Sequence, residues 1–156
     1  MDGISALLRS VSERVKAQHP DITVSITVTS DQTEANERYL QDWQTWLKEG
    51  YVDLMIPRGY VDESAELQPV LDAWLPELNR YRRKIVFGVI AYTEQGGEPV
   101  SKPAEQLLTE VKMALASGSN GFMVFDLGRM SDEQLSVFDG FISTLPVAKE
   151  NAPENQ

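Results

Sequence analysis

Four apolar segments recur along the chain, beginning near residues 22, 52, 85 and 121, at intervals of 30–36 residues. An amphipathic helical pattern follows each segment, and one further helical pattern precedes the first. Strands that alternate with helices at this spacing are typical of right-handed βαβ units, whose strands form a parallel sheet. The spacing therefore predicts an α/β fold, a parallel sheet of four βα units preceded by a helix.

The hydrophobic periodicity also gives approximate bounds for the elements. It predicts helices over residues 4–17, 33–49, 66–81 and 103–117. It predicts strands over residues 22–29, 52–56, 85–92 and 121–126. The helix over 33–49 is expected to bury Tyr39 and Leu40, and Pro76 predicts a kink or two shorter helices within 66–81. Ser131 and Gln134 form a capping box that predicts a last helix.

Composition supplies the remaining boundaries. Residues 94–102 (EQGGEPVSK) are predicted to be a loop. Residues 1–146 are expected to form a single α/β domain, and the polar, proline-bearing residues 147–156 a disordered tail. Four βα units are also half of an eight-stranded (β/α)8 barrel, and the pattern alone leaves open whether the sheet is an open one or half of such a TIM barrel.

The charge of the chain limits its partners. Its 14 basic and 24 acidic residues give a formal net charge of -10, and the only basic cluster lies at residues 80–84. We therefore expect no nucleic-acid partner, which would need a basic surface. No apolar run reaches the roughly 18–20 residues that a membrane span requires, so none is expected. The amino terminus lacks a signal-peptide layout, and the sequence leaves the compartment open.

Several catalytic systems are excluded by residue content. There is no cysteine, and the single histidine, His19, lies in a loop before a strand. This excludes thiol catalysis, histidine-based triads and histidine metal clusters, and no metal site is expected. No nucleotide- or dinucleotide-binding motif is present, and we expect no cofactor.

One stretch carries a recognisable signature, residues 42–60, which read DWQTWLKEGYVDLMIPRGY. It resembles the D-x3-WL-x2-G-x2-D-x3-P-Q-x-Y pattern of the glycosyl hydrolase-like proteins of family 10, which are bacterial TIM-barrel proteins. The residues that match are Asp42, Trp46, Leu47, Gly50, Asp53, Pro57 and Tyr60. The chain departs from the pattern at Arg58, where the family usually carries glutamine.

The resemblance continues on both sides of this stretch. AQHPDITVSIT is similar to the family's segment before its fifth strand, Gly88 and Tyr92 match its seventh strand, and Gly121 and Phe125 match its eighth. The chain thus resembles the carboxyl-terminal half of the barrel. This implies a carbohydrate-active protein from a family that is often exported. It also implies that acidic residues after the family's fourth strand, its foremost catalytic candidates, have no counterpart in this sequence.

Candidate catalytic residues must be carboxylates, because glycoside hydrolysis ordinarily needs two of them roughly 5–10 Å apart. Asp126 ends the fourth predicted strand, and Glu94 follows the third. Each also has a simpler interpretation: Asp126 as a cap of the following loop, and Glu94 as part of a solvated loop. Asp53 begins its strand, at the edge opposite to the active sites of barrels, and is interpreted as structural, binding backbone or a basic neighbour.

Candidate ligand-binding residues are Arg58, Tyr60 and Tyr92, which leave the second and third strands at the carboxyl end, where ligands of parallel α/β folds bind. The alternative is that Arg58 pairs with a carboxylate and Tyr60 packs beneath a loop. Three tryptophans lie on apolar helical stripes and are expected in the core, namely Trp43, Trp46 and Trp74.

Three hypotheses follow. The chain is a glycoside-hydrolase-like barrel fragment, incomplete as a catalyst on its own. Alternatively, it is a non-catalytic module that binds a saccharide or another small ligand at the strand ends. In the third, two copies pair their exposed strand edges and close a homodimeric barrel, because unpaired edges and a bare inner face are surfaces that a monomer must protect.

Overall fold

The computed structural model describes residues 2–145, and the predicted disordered tail lies outside that range. Its elements, in chain order, are α1 Asp2–Gln18, β1 Ser25–Thr29, α2 Gln32–Glu37, α3 Trp43–Lys48, β2 Leu54–Arg58, α4 Ser64–Arg80, β3 Phe87–Ile90, β4 Tyr92–Gln95, β5 Glu98–Ser101, α5 Ala104–Ala116, β6 Phe122–Phe125 and α6 Asp132–Ile142. A short 3-10 turn, Leu127–Arg129, joins β6 to α6.

The central sheet has the strand order β1-β2-β3-β6, and every neighbouring pair is parallel. The predicted α/β fold with a four-stranded parallel sheet is confirmed. Because each strand pairs with the next βα strand along the chain, the order is that of a stretch of a TIM barrel rather than of a doubly wound sheet, whose order reverses. The structure is thus a partial TIM-barrel-like fold.

The core lies between the sheet and the helices, and three indole rings occupy its centre. Trp43, Trp46 and Trp74 are fully buried, as expected from their helical stripes. The rings of Trp43 and Trp74 lie 4.8 Å apart, and Trp74 meets Phe87 of β3 edge to face at 6.1 Å. Buried indole N–H groups usually bond a partner, and that of Trp74 donates to the carbonyl of Ser30.

The single helix predicted over residues 33–49 is wrong, because the chain breaks there. Leu40 has φ +55°, a left-handed conformation that cannot continue a helix. Asp42 then caps α3 by accepting a hydrogen bond from the backbone N–H of Thr45. Tyr39 and Leu40 fall in the break and are exposed, not buried as expected. A local cap therefore overrides the longer amphipathic pattern.

Two further expectations are corrected. Residues 94–102 are not a plain loop, since β4 and β5 pair as an antiparallel hairpin across them. Gly96 and Gly97 at its turn both have positive φ, the geometry of a tight two-residue hairpin. Of the kink or two shorter helices expected at Pro76, the second alternative does not occur, because α4 runs unbroken through Pro69 and Pro76.

One face of the sheet is packed against the helices, while the other, here called the open face, is more accessible. On the packed face Val28, Met55, Phe87 and Val89 are completely buried. The side chains of the open face are half-buried or exposed, and they comprise Thr27, Thr29, Leu54, Ile56, Arg58, Val86, Ile90, Met123 and Phe125. Gly88 lies among them: a Cβ added there would meet the side chains of Met123 at 3.0 Å and Ile56 at 3.2 Å.

Candidate functional site

Three aromatic rings gather at the carboxyl ends of β2, β3 and β6. Tyr60 stacks on Phe125 with ring centroids 5.6 Å apart and an interplanar angle of 21°. Tyr92 lies 6.4 Å from the same Phe125 ring. The parallel register explains the meeting, since Ile90 of β3 pairs with Phe125 and the chain leaves β2 and β3 at the same edge. The rings of Tyr60, Tyr92 and Phe125 are called the aromatic cluster below.

Phe125 was not among the sequence-predicted site residues. The residue is 41% exposed, a large fraction for a phenylalanine at the end of a central-sheet strand. The sequence contained a signal for it. Phe125 immediately precedes Asp126, and it lies two residues after Met123, on the same face of the strand. Period-two alternation places its side chain on the same face as that of Met123, and the register of the sheet then brings it beside the two tyrosines.

Arg58 lies one row below Tyr60 on the open face. Its guanidinium donates a hydrogen bond of 2.7 Å to the hydroxyl of Thr29, its register partner on β1. The neighbouring register position on β3 is Gly88, which puts no side chain beside it. Among residues 2–145 the guanidinium forms no ion pair, so the pairing with a carboxylate considered from the sequence does not occur within that range.

Tyr60 stands between two concavities. One has a volume of about 240 Å³ and is lined by Tyr60, Tyr92 and Glu94, together with Val61, Asp62, Ile90 and Thr93. The other, of about 210 Å³, is lined by Tyr60 and Arg58, together with Thr29, Ser30, Glu34 and Tyr39. The two concavities and the aromatic cluster form the candidate site.

The environment of Tyr60 alters its acidity. Burial raises the pKa of the Tyr60 phenol above its ordinary value of 10.0; the positive charge of Arg58 opposes the rise and Tyr92 adds to it. At neutral pH the phenol therefore keeps its proton. It can act as a hydrogen-bond donor while its ring remains in the stack.

The two carboxylates proposed from the sequence lie in different settings. Asp126 is bound to Arg129, with Nε 3.4 Å from the carboxylate, and the guanidinium of Arg129 also lies over the ring of Tyr92 at 5.1 Å. Asp126 does not cap the following turn through its side chain. Glu94 is exposed on β4 and lines the larger of the two concavities. The aromatic cluster thus stands beside both carboxylates.

A buried polar network holds the hairpin that carries Glu94. The side chains of Lys102 and Glu110 are completely buried and form an ion pair of 2.9 Å. Lys102 also donates to the carbonyl of Val61 at 2.5 Å, which ties the end of the hairpin to the β2–α4 loop. Gln134, equally buried, donates to the carbonyls of Ala91 and Lys102. Two walls of the Glu94 concavity are fixed by these contacts.

Asp53 lies at the other edge of the sheet, and its predicted structural contacts are present. Its carboxylate accepts hydrogen bonds from Lys16 at 2.5 Å and from the backbone N–H of Val24 at 2.9 Å. Burial raises the pKa of Asp53, but these hydrogen bonds, with the charges of Lys16 and Lys84, outweigh it and leave the pKa below its ordinary value. The carboxylate acts as a clamp between α1, β1 and β2.

Larger concavities exist on the helix side, at about 450 and 430 Å³. Their walls come from α1, α3 and the loop after α3, and include Arg9, Glu13 and Tyr51. They lie away from the strand ends, where the catalytic and binding residues of TIM-barrel-like folds are found. Size alone therefore does not make them the site.

Within residues 2–145 no group of three or more histidine, aspartate or glutamate side chains is arranged to hold a metal ion. Over the same range, no helix combines the length and the apolar character needed to cross a membrane.

Comparison with protein-family models gives a match. The family model described as Glycosyl hydrolase-like 10 matches residues 1–103 of the 156-residue chain. The matched part runs from α1 through β5, so it contains Arg58, Tyr60, Tyr92 and Glu94. Phe125 and Asp126 lie beyond it. No curated protein matches the chain.

Proposed function

The chain belongs to the Glycosyl hydrolase-like 10 family, and on that premise we propose that it binds a saccharide at the carboxyl ends of its strands. The aromatic cluster is the observation that carries the proposal. The ring of Tyr60 is stacked on Phe125 and flanks two concavities, so a sugar ring has an apolar surface with polar groups on both sides. Ligand sites typically combine apolar walls with a few directed polar groups.

Asp126 and Glu94 are the carboxylates that we propose as candidate catalytic residues. The carboxylate of Asp126 is engaged by Arg129 in an ion pair. Glu94 is solvated and lies on a hairpin. We therefore propose that this chain binds saccharide but turns it over weakly or not at all by itself, as in a barrel fragment whose catalytic pair is incomplete.

Calorimetry with a panel of neutral oligosaccharides tests the binding. Removing the central ring with Tyr60→Ala should weaken the association constant at least about tenfold, equivalent to about 1.4 kcal/mol. Tyr51→Ala is the matched control, because Tyr51 lines the helix-side concavities instead. Equal weakening by both variants, or binding unaffected by Tyr60→Ala, would contradict the proposed site.

A turnover assay tests the second part of the proposal. Incubation of the chain with chromogenic glycosides and natural polysaccharides should release little or no product. Efficient turnover that disappears in the Asp126→Asn and Glu94→Gln variants would show instead that the two carboxylates suffice for catalysis.

Self-association is a second candidate function, supported by the sheet itself. β1 and β6 form the two edges of the sheet, and the open face carries Leu54, Ile56, Ile90 and Met123. Two copies that paired their edges would bury these apolar side chains in a closed eight-stranded barrel. Light scattering at increasing concentration should then show a dimer, whereas a monomer up to high concentration would count against closure.

A further inference from the structure

We propose that the site selects an acidic saccharide, one whose carboxylate is bound by Arg58. This inference rests on the proposed saccharide binding and adds the chemical class of the ligand. Arg58 stands where the family signature has glutamine, an uncharged side chain. Arg58 therefore brings a positive charge to the open face, at a position where the signature has an uncharged amide.

Arg58 has more hydrogen-bond donors than its contact with Thr29 uses. A guanidinium carries five N–H donors in a planar fork that matches a carboxylate, and within residues 2–145 the side-chain bond of Arg58 goes to the hydroxyl of Thr29. That hydroxyl orients the fork without neutralising it. Gly88 leaves the adjacent register position without a side chain. The guanidinium is thus positioned and charged, and it lines a concavity of about 210 Å³.

The neighbouring cations are already paired. Lys102 is bound to Glu110, and Arg129 to Asp126. Arg38, which follows α2, is bound to Glu34, the only carboxylate among the residues named for the Arg58 concavity. Glu34 is therefore engaged by another guanidinium. Unlike these cations, Arg58 forms no ion pair within residues 2–145.

The geometry also sets a minimum length for the ligand. Tyr60 lines both the Arg58 concavity and the one that contains Tyr92 and Glu94. A chain of at least two sugar units, lying across the Tyr60 ring, would reach both. One unit would present its carboxylate to Arg58, and the next would lie against Tyr92 near Glu94. Oligosaccharides of uronic acids have this chemistry.

Binding of two probes separates this inference from the function on which it rests. We would titrate the chain by calorimetry with tetragalacturonate and with the neutral galactose tetrasaccharide of equal length. The wild type should bind the acidic probe about tenfold more tightly, as expected for a charge-assisted hydrogen bond. The preference should shrink as salt is added. Arg58→Gln should abolish this preference, because it should weaken binding of the acidic probe far more than binding of the neutral one.

Two further variants complete the design. Arg82→Gln removes the same charge from an exposed turn between α4 and β3, at the amino end of the sheet, and should keep the preference. Arg58→Lys retains the charge without the planar fork and should keep part of the preference for the acidic probe. It preserves the test if circular dichroism shows that Arg58→Gln is misfolded.

Each outcome has a defined meaning. A wild type that binds both probes equally, or a preference that survives Arg58→Gln, would overturn the acidic-ligand inference and leave saccharide binding standing. A preference lost equally in Arg82→Gln would overturn it too, because net charge would then be the cause. A chain that binds neither probe would overturn both the inference and the proposed function.

Discussion

The buried ion pair between Lys102 and Glu110 provides the sharpest test of the energetics. Both side chains are completely buried, and the Lys102 ammonium directs its donors to the two carboxylate oxygens of Glu110 and to the carbonyl of Val61. Glu110→Gln keeps the shape of the side chain but removes its charge. The lysine would then be a buried cation without a counterion.

The expected cost is large. Breaking one partner of a buried pair typically costs about 3–5 kcal/mol, a substantial part of the roughly 5–15 kcal/mol that stabilises an ordinary domain. At about 2–4 °C per kcal/mol for a chain of this size, the melting temperature should fall by about 10 °C. Replacing both residues, as Lys102→Met with Glu110→Leu, should cost far less, because neither charge remains to be desolvated.

Urea unfolding followed by circular dichroism measures these differences, with Glu105→Gln as the control. Glu105 is an exposed glutamate on the same helix, and its loss should change stability by no more than about 0.5 kcal/mol. A cost of less than about 1 kcal/mol for Glu110→Gln would refute the reasoning. So would a double variant as unstable as the single one.

Three further predictions follow from other contacts. Titration followed by tyrosinate absorbance should show that the pKa of Tyr60 lies above 10.0, and the Tyr60→Phe variant identifies its signal. Arg58→Gln should raise that pKa further, because it removes a positive charge that favours the phenolate. A downward shift of the pKa in Arg58→Gln would contradict this. Asp53→Asn should lower stability at pH 7 by about 1 kcal/mol. Because the folded-state pKa of Asp53 is lowered, that contribution is present above its ordinary value of 3.8 and should be lost as the pH falls through the lowered pKa. A pH-independent difference would refute the ionic origin. Leu40→Gly should raise the unfolding free energy by up to about 1 kcal/mol, since the exposed leucine is held at φ +55°; destabilisation would show that its side chain packs more than its exposure suggests.

Much of the fold could be read from the sequence because its signals are local and repeated. Alternating strands and helices at regular spacing specified the parallel sheet, and the apolar stripes specified the buried indoles of Trp43, Trp46 and Trp74. The signal failed where a short-range cap competed with periodicity. The break at Leu40 depends on the Asp42 cap, and the hairpin depends on the positive φ of Gly96 and Gly97.

The candidate site was predictable only in part. Arg58 ends β2, and Tyr60 and Tyr92 lie just beyond β2 and β3. The rule that ligands bind at the carboxyl ends of parallel strands made them candidates. Which of them share a surface depends on register, and register joins residues far apart in the chain. The stack of Tyr60 on Phe125 and the pairing of Asp126 with Arg129 therefore emerged from the structure.

Mapping the bound ligand onto the backbone tests the central claim most directly. Two-dimensional NMR of the labelled chain would record which amide signals move as tetragalacturonate or the neutral tetrasaccharide is added. We expect the shifts to concentrate at residues 58–62, 90–94 and 123–129, the strand ends that carry the aromatic cluster. Shifts concentrated instead around Arg9, Glu13 and Tyr51, in the larger helix-side concavities, would contradict the account, as would the absence of any shift with either sugar.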